Sequence, residues 1–115
     1  MFGFGLKDKS KKLLNDHFDC EGYWTTSWLN SIVSQGKTQG YNEYDVVIWY
    51  WITDQGFLIN TWKDHDSEES KMDIYKGIQD TLSKIDQIKH LAHQDTGFQD
   101  KLDQISKDSE ILKTE

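Results

Sequence analysis

The chain has 115 residues, of which 36% are hydrophobic and 13% aromatic, including five Trp. This length predicts one domain over 1–115, with a small core that is rich in aromatic rings. The net charge of -7 and the lack of Arg among the 13 basic residues argue against direct binding to nucleic acid, because phosphate neutralisation needs a positive surface.

Cysteine content and hydropathy bear on the compartment. Cys20 is the only cysteine, so an internal disulfide is excluded and a reducing compartment is favoured. The chain has no run of 18 apolar residues and no secretory signal at its amino terminus. We therefore expect a cytoplasmic protein without stable membrane insertion.

The first predicted element is a short amphipathic helix between Asp8 and Phe18, because Leu13, Leu14, His17 and Phe18 recur at helical spacing.

Residues 23–34 fit two interpretations. Trp24, Trp28, Leu29, Ile32 and Val33 form a helical stripe, whereas the content of Thr, Trp, Ile and Val is typical of a strand. The strand is favoured because the hairpin that follows needs a neighbour, and residues 35–43 then form a loop.

Residues 44–62 predict a β-hairpin. Asp54-Gln55-Gly56 would form its turn, with Gly56 in the left-handed backbone conformation. Strict alternation makes both faces apolar. One face carries Val47, Trp49, Trp51, Phe57 and Ile59, and the other carries Val46, Ile48, Tyr50, Ile52, Leu58 and Trp62.

Residues 68–113 predict a C-terminal helical segment. Spacings of three and four connect Ile74, Ile78, Leu82, Ile85, Ile88 and Leu91, and a second stripe contains Phe98, Leu102, Ile105 and Leu112. The pattern is interrupted at 93–97, which fits either one long bent helix or a helical hairpin. The sequence thus predicts an α+β fold with an N-terminal helix, a small antiparallel sheet of about three strands and this helical segment.

Residues capable of chemistry occur without a recognisable motif. His17 and Cys20 lie close in sequence, and His90 and His93 are three residues apart, but no ligand pairs show the spacing of a structural zinc site. Glycines with the spacing of a phosphate-binding loop are missing as well. We therefore expect no metal, no cofactor and no enzymatic activity.

A small sheet on one core needs a single apolar face, so the second face of the predicted hairpin is covered by helices of the same chain, by a second copy of the chain, or by a partner protein. The short N-terminal helix offers few apolar residues to cover a face with two Trp, which favours association. We expect a protein-binding module that acts by occlusion, as inhibitors and immunity proteins do, in a phage or another mobile element. The expected site joins an aromatic anchor to an acidic rim that attracts a basic protein target. The anchor and rim residues are Trp49, Trp51, Phe57, Ile59, Asp64, Asp66, Glu68 and Glu69.

Two other functions fit the same features. A homodimer, as in a structural subunit or a secretion-type chaperone, would cover the second face with another copy of the chain. An inhibitor that mimics nucleic acid would use the carboxylates of 64–73 in place of phosphates.

Overall fold

The computed structural model describes residues 5–18, 26–63, 68–93 and 97–113. Its elements are the helices α1 (Leu6–His17), α2 (Thr26–Gln39), α3 (Glu43–Trp62), α4 (Glu68–Ile88) and α5 (Phe98–Lys113), with a 3₁₀ turn at Lys89–Leu91. No strand occurs in these ranges. The predicted α+β fold with an antiparallel sheet is therefore wrong, and the protein is a helical bundle.

Helix α3 replaces the predicted hairpin at 44–62 and lies at the centre of the bundle. It packs against α1, α2, α4 and α5, so side chains on nearly every side of it are covered. A helix surrounded in this way needs apolar residues all around its axis. The two apolar faces of the sequence are consequently different sides of one packed helix.

The backbone of α3 also excludes the predicted turn at 54–56. Gly56 lies inside the helix, and the described glycines with positive φ are Gly40 and Gly97. The hydroxyl of Thr53 donates to the carbonyl of Trp49 over 3.1 Å, an i to i−4 bond that occurs within helices. The chain thus continues straight through the residues that were expected to reverse its direction.

Helix α2 corrects the strand predicted at 23–34. Leu29 and Val33 are buried in the core, and Trp28 and Ile32 pack against it, so the helical interpretation of this stripe is the right one. Residues 23–25 lie outside the described part of the chain. The helix extends to Gln39, which shortens the predicted 35–43 loop to a turn at Gly40, Tyr41 and Asn42.

The start of α3 is fixed by a capping box. Asn42 Oδ1 accepts a hydrogen bond from the backbone N–H of Asp45 at 3.0 Å, and Asp45 Oδ2 accepts one from the N–H of Asn42 at 2.9 Å. These bonds satisfy two donors that a helix start leaves without intrahelical partners. They set the point where the chain leaves the turn and enters the central helix.

The predicted N-terminal and C-terminal helical regions are helical in the structure. Helix α1 covers most of the predicted 8–18 segment, and residues 68–113 form a helical hairpin of α4 and α5 rather than one bent helix. The chain between these two helices contains the Lys89–Leu91 turn and Gly97, whose φ is 83°. Helix α4 thus ends at Ile88, before the predicted interruption at 93–97, of which residues 94–96 lie outside the described part of the chain.

The core has two parts along α3. Its larger part surrounds the N-terminal half of α3 and contains buried side chains from all five α-helices. Its smaller part contains Ile59, Ile78, Ile105 and Leu112 from α3, α4 and α5. Helices α1 and α2 therefore pack at one end of a bundle that α3, α4 and α5 form along its whole length.

Within the described ranges, none of the helices combines the length and apolar character that a membrane span requires.

Candidate functional site

The predicted anchor tryptophans are partly buried inside the bundle. Trp49 and Trp51 both pack against the larger core, and the Nε1 atom of each is buried without a hydrogen-bond partner among the described residues. The ring centroid of Trp51 lies 5.2 Å from that of Phe18 and 5.1 Å from that of Tyr50. Successive helical residues are rotated by about 100°, so side chains two apart point to nearly opposite sides. The helix thus separates the two indoles, which a strand would have placed on one face.

The other two anchor residues have different surroundings. Ile59 is buried in the smaller core cluster, whereas Phe57 has 55% of its surface exposed. Phe57 is thus the member of the predicted anchor that reaches solvent most. Whether any of the four contacts a partner stays a prediction.

Phe57 lies against Trp28 of α2, which the sequence prediction did not include in the site. Their ring centroids are 5.6 Å apart, with planes inclined at 62°. Edge-to-face contacts of this kind stabilise a ring in one orientation. The helical stripe at Trp28, Leu29, Ile32 and Val33 is the sequence signal for this contact, whereas a strand over 23–34 does not predict it. We call Trp28 and Phe57 the aromatic pair.

The aromatic pair is connected to the interior through further rings. The Trp28 ring lies 6.2 Å from that of Tyr50, which in turn contacts Trp51. Tyr50 is 2% exposed, so the base of this chain of rings belongs to the core. Phe57 thus reaches solvent from a series of contacting rings that begins in the core.

A carboxylate lies one helical turn from Phe57. Asp54 is partly buried, and desolvation raises the pKa of its carboxyl, while a hydrogen bond from Gln55 Nε2 at 2.8 Å acts in the opposite direction. Residues three apart on a helix are neighbours on its surface. The aromatic pair therefore has a half-buried acidic group beside it.

The structure describes only part of the predicted acidic rim. Glu69 is exposed near the start of α4, and Glu68 is the first residue of that helix. Asp64 and Asp66 lie outside the described residues. The structure thus does not bring the rim and the anchor together into one described surface.

Two of the described histidines, His17 and His93, make contacts with residues that are distant in sequence. His17 Nε2 donates to the Lys84 carbonyl over 3.0 Å, which ties α1 to α4. Over the described ranges there is no cluster of three or more His, Cys, Asp or Glu side chains that could hold a metal ion. The suggested pairing of His17 with Cys20 falls on a residue outside those ranges.

An open groove of about 410 Å³ lies between α4 and α5, which pack against each other. Its floor includes Leu82, Ile85 and Leu102, and its rim is polar. Lys89 in this groove is engaged by Asp86 at 2.8 Å and by Gln99 at 3.1 Å. Lys89 therefore connects α4 to α5 through these two contacts.

Comparison with known proteins adds no functional information. No protein family, no curated protein and no solved structure matches the chain.

Proposed function

We propose that the chain is a protein-binding module that acts by occupying a surface of a protein target. The observation that carries this proposal is the exposed edge of the aromatic pair, in which Phe57 is more than half exposed and is supported by Trp28. Aromatic side chains of this type supply much of the free energy of protein association when a partner buries them.

The support beneath Phe57 matters for affinity. A side chain that is fixed before binding loses less conformational freedom in the complex, and that loss typically opposes association by about 0.5–1.5 kcal/mol for each mobile side chain. Phe57 contacts Trp28, and Trp28 contacts the buried Tyr50. Its exposed surface is therefore available to a partner at a low ordering cost.

Charge indicates a basic target. The chain carries 20 acidic residues against 13 lysines, a formal net charge of -7. This excess of negative charge would accelerate encounter with a positively charged partner.

The test compares Phe57→Ala with Leu91→Ala, a second exposed apolar side chain at 45% exposure. Wild type and both variants are immobilised in parallel, and a native extract is passed over each. A protein retained by wild type is then purified, whether or not either variant also retains it. Its dissociation constants for wild type, Phe57→Ala and Leu91→Ala are measured by calorimetry at low and high salt.

We expect Phe57→Ala to weaken binding at least tenfold, which corresponds to about 1.4 kcal/mol, while Leu91→Ala stays within about twofold of wild type. Affinity should also fall as salt rises, since the attraction between exposed charges is screened. Equal dissociation constants for wild type and Phe57→Ala would refute the proposal. A dimer of the pure protein that Phe57→Ala dissociates would instead identify a second copy as the occupant, and the proposed target protein would be wrong.

A further inference from the structure

Asp45 is a buried carboxylate that holds a histidine from a distant part of the chain. Its side chain is 0% exposed, although it belongs to the first turn of α3. Oδ1 accepts a hydrogen bond from the backbone N–H of His93 at 2.8 Å, and Oδ2 lies 2.6 Å from Nδ1 of the same residue. Together with the bond from Asn42 N–H, three donors surround this carboxylate.

This contact fixes the orientation of the His93 ring. A carboxylate accepts hydrogen bonds, so Nδ1 carries the proton and the lone pair of the neutral ring is on Nε2. The two ring nitrogens are separated by one carbon, their N–H and lone-pair directions diverge in the ring plane, and the side chain is 53% exposed. Nε2 is therefore the nitrogen directed away from the buried carboxylate.

We propose that Nε2 of His93 is an acyl-acceptor site that reacts with uncharged, activated acyl compounds such as esters and thioesters. The lone pair of Nε2 attacks the carbonyl carbon, and the bond from that carbon to the leaving oxygen or sulfur breaks with its electron pair. The ring becomes an acylimidazolium, whose positive charge Asp45 stabilises through Nδ1–H. Loss of the ring proton through solvent to the leaving group gives a neutral N-acylimidazole and an alcohol or thiol.

The carboxylate behind the ring increases the reactivity of Nε2. A carboxylate bonded to one imidazole nitrogen makes the other a better electron donor and stabilises the cation that forms when it reacts. Asp45 acts here as a positioning residue, since it would not touch the acyl compound. The arrangement is that of a nucleophilic histidine with its orienting acid already in place.

The same charge decides which electrophile the site accepts. Burial raises the pKa of the Tyr41 hydroxyl, and the negative charge of Asp45 raises it further. A neighbouring group thus experiences the negative field of Asp45. That field repels a phosphoryl donor, which carries negative charge, and does not oppose an uncharged carbonyl compound. Leu91, which is 45% exposed, adds apolar surface close to His93 in the chain.

Other histidines provide an internal comparison. The ring of His17 is tied through Nε2 to the Lys84 carbonyl. His90 is exposed, and its ring makes no hydrogen bond or ion pair with the described residues. If the Asp45 contact did not activate the ring, the partial burial of the His93 side chain would make it react more slowly than the exposed His90. The acyl-acceptor site requires the reverse order.

The test uses diethyl pyrocarbonate, an uncharged acyl donor, on the whole protein near neutral pH. Modification of each histidine is followed in time by peptide mass spectrometry, and hydroxylamine reversal confirms that the adduct is on imidazole. We expect His93 to react about tenfold faster than His90 or more. Reaction of His90 at the same rate as His93, or faster, would overturn the proposal.

Variants separate the nucleophile from its positioning residue. We expect His90→Gln to leave the rate at His93 unchanged and Asp45→Asn to lower it to the level of His90. If Asp45→Asn does not fold, ¹⁵N spectra of the wild-type imidazoles serve instead. The neutral form of His93 should carry its proton on Nδ1 and leave Nε2 unprotonated, and the opposite tautomer would refute the assignment. Phe57→Ala should not affect this reaction, so the proposal stands or falls separately from the protein-binding function.

Discussion

Two aspartates of α3 experience opposite environments. Asp45 is completely buried, but its carboxylate accepts three hydrogen bonds. Asp54 is partly buried and accepts one from Gln55, and desolvation raises the pKa of its carboxyl. A buried charge is tolerated where enough donors replace its water, so Asp45 fits its place and Asp54 destabilises the fold when it is ionised.

Asp54→Asn should therefore stabilise the protein at neutral pH, because the substitution removes the charge and retains an acceptor for Gln55. The folded-state pKa of Asp54 is raised above the ordinary value of 3.8. The folded state consequently binds this proton more tightly than the unfolded state does. The free energy of unfolding therefore falls as the pH rises from 3.8 through the raised pKa of the folded state. We expect the free energy of unfolding, measured with urea between pH 3 and pH 7, to show this fall in wild type and not in Asp54→Asn.

The control for Asp54→Asn is Asp73→Asn, which removes the same charge from an exposed position on α4. It should retain the wild-type decrease between pH 3 and pH 7. If both substitutions abolished the decrease, or neither did, the assigned cause at Asp54 would be wrong.

At the level of elements, the sequence predicted the helices that have one apolar stripe. The stripe of α4, with Ile78 and Ile85, and that of α5, with Leu102 and Ile105, repeat every three or four residues because each helix covers the core with one side. That periodicity belongs to a helix alone. The existence of α1, α4 and α5 could therefore be derived from the residues themselves.

The sequence failed where packing surrounds the helix. Val46, Val47 and Ile48 are consecutive, β-branched and all fully buried, because helices pack on several sides of α3. A run that is apolar on all sides matches a buried strand as well as a buried helix. Local preference favoured the strand, and tertiary packing decided for the helix. The strand predicted in place of α2 is wrong for a related reason, because it was favoured as a neighbour for the hairpin.

Two helical glycines give opposite predictions for substitution by Ala. A Cβ at Gly36 in α2 would lie 2.7 Å from Cδ2 of Tyr41 and 3.0 Å from its Cβ, whereas one at Gly77 in α4 would meet nothing within 4 Å. Gly77→Ala should therefore raise the free energy of unfolding by about 0.5–1 kcal/mol through helix propensity. Gly36→Ala should lower it by about 1–3 kcal/mol, because the turn after α2 must shift.

Urea unfolding of both glycine variants checks this pair of predictions. If Gly36→Ala were as stable as Gly77→Ala, the close packing between the end of α2 and Tyr41 would not exist as described.

For the whole molecule, the principal extents are 51, 28 and 22 Å. The aromatic pair lies where α2 meets α3, and the Asp45–His93 contact joins the start of α3 to the chain that follows α4. The sequence named Phe57 as one of four anchor residues on a hairpin face, and nothing in it distinguished the exposure of Phe57 from that of the other three. The support of Phe57 by Trp28 and the pairing of Asp45 with His93 could not be predicted, because both join residues that are far apart in sequence and meet only through the helical fold.

The helical bundle depends on residues 43–62 forming one continuous helix around which the other helices pack. The substitution Gly56→Ala tests this continuity directly. In α3, an Ala at position 56 meets nothing within 4 Å and should raise the free energy of unfolding by about 0.5–1 kcal/mol. The control is Gly40→Ala, where φ is 76° and Ala should lower that free energy by about 1–2 kcal/mol. Stabilisation by Gly56→Ala is the result that the helix predicts. A loss comparable to that of Gly40→Ala would place Gly56 in a left-handed turn and contradict the helical bundle.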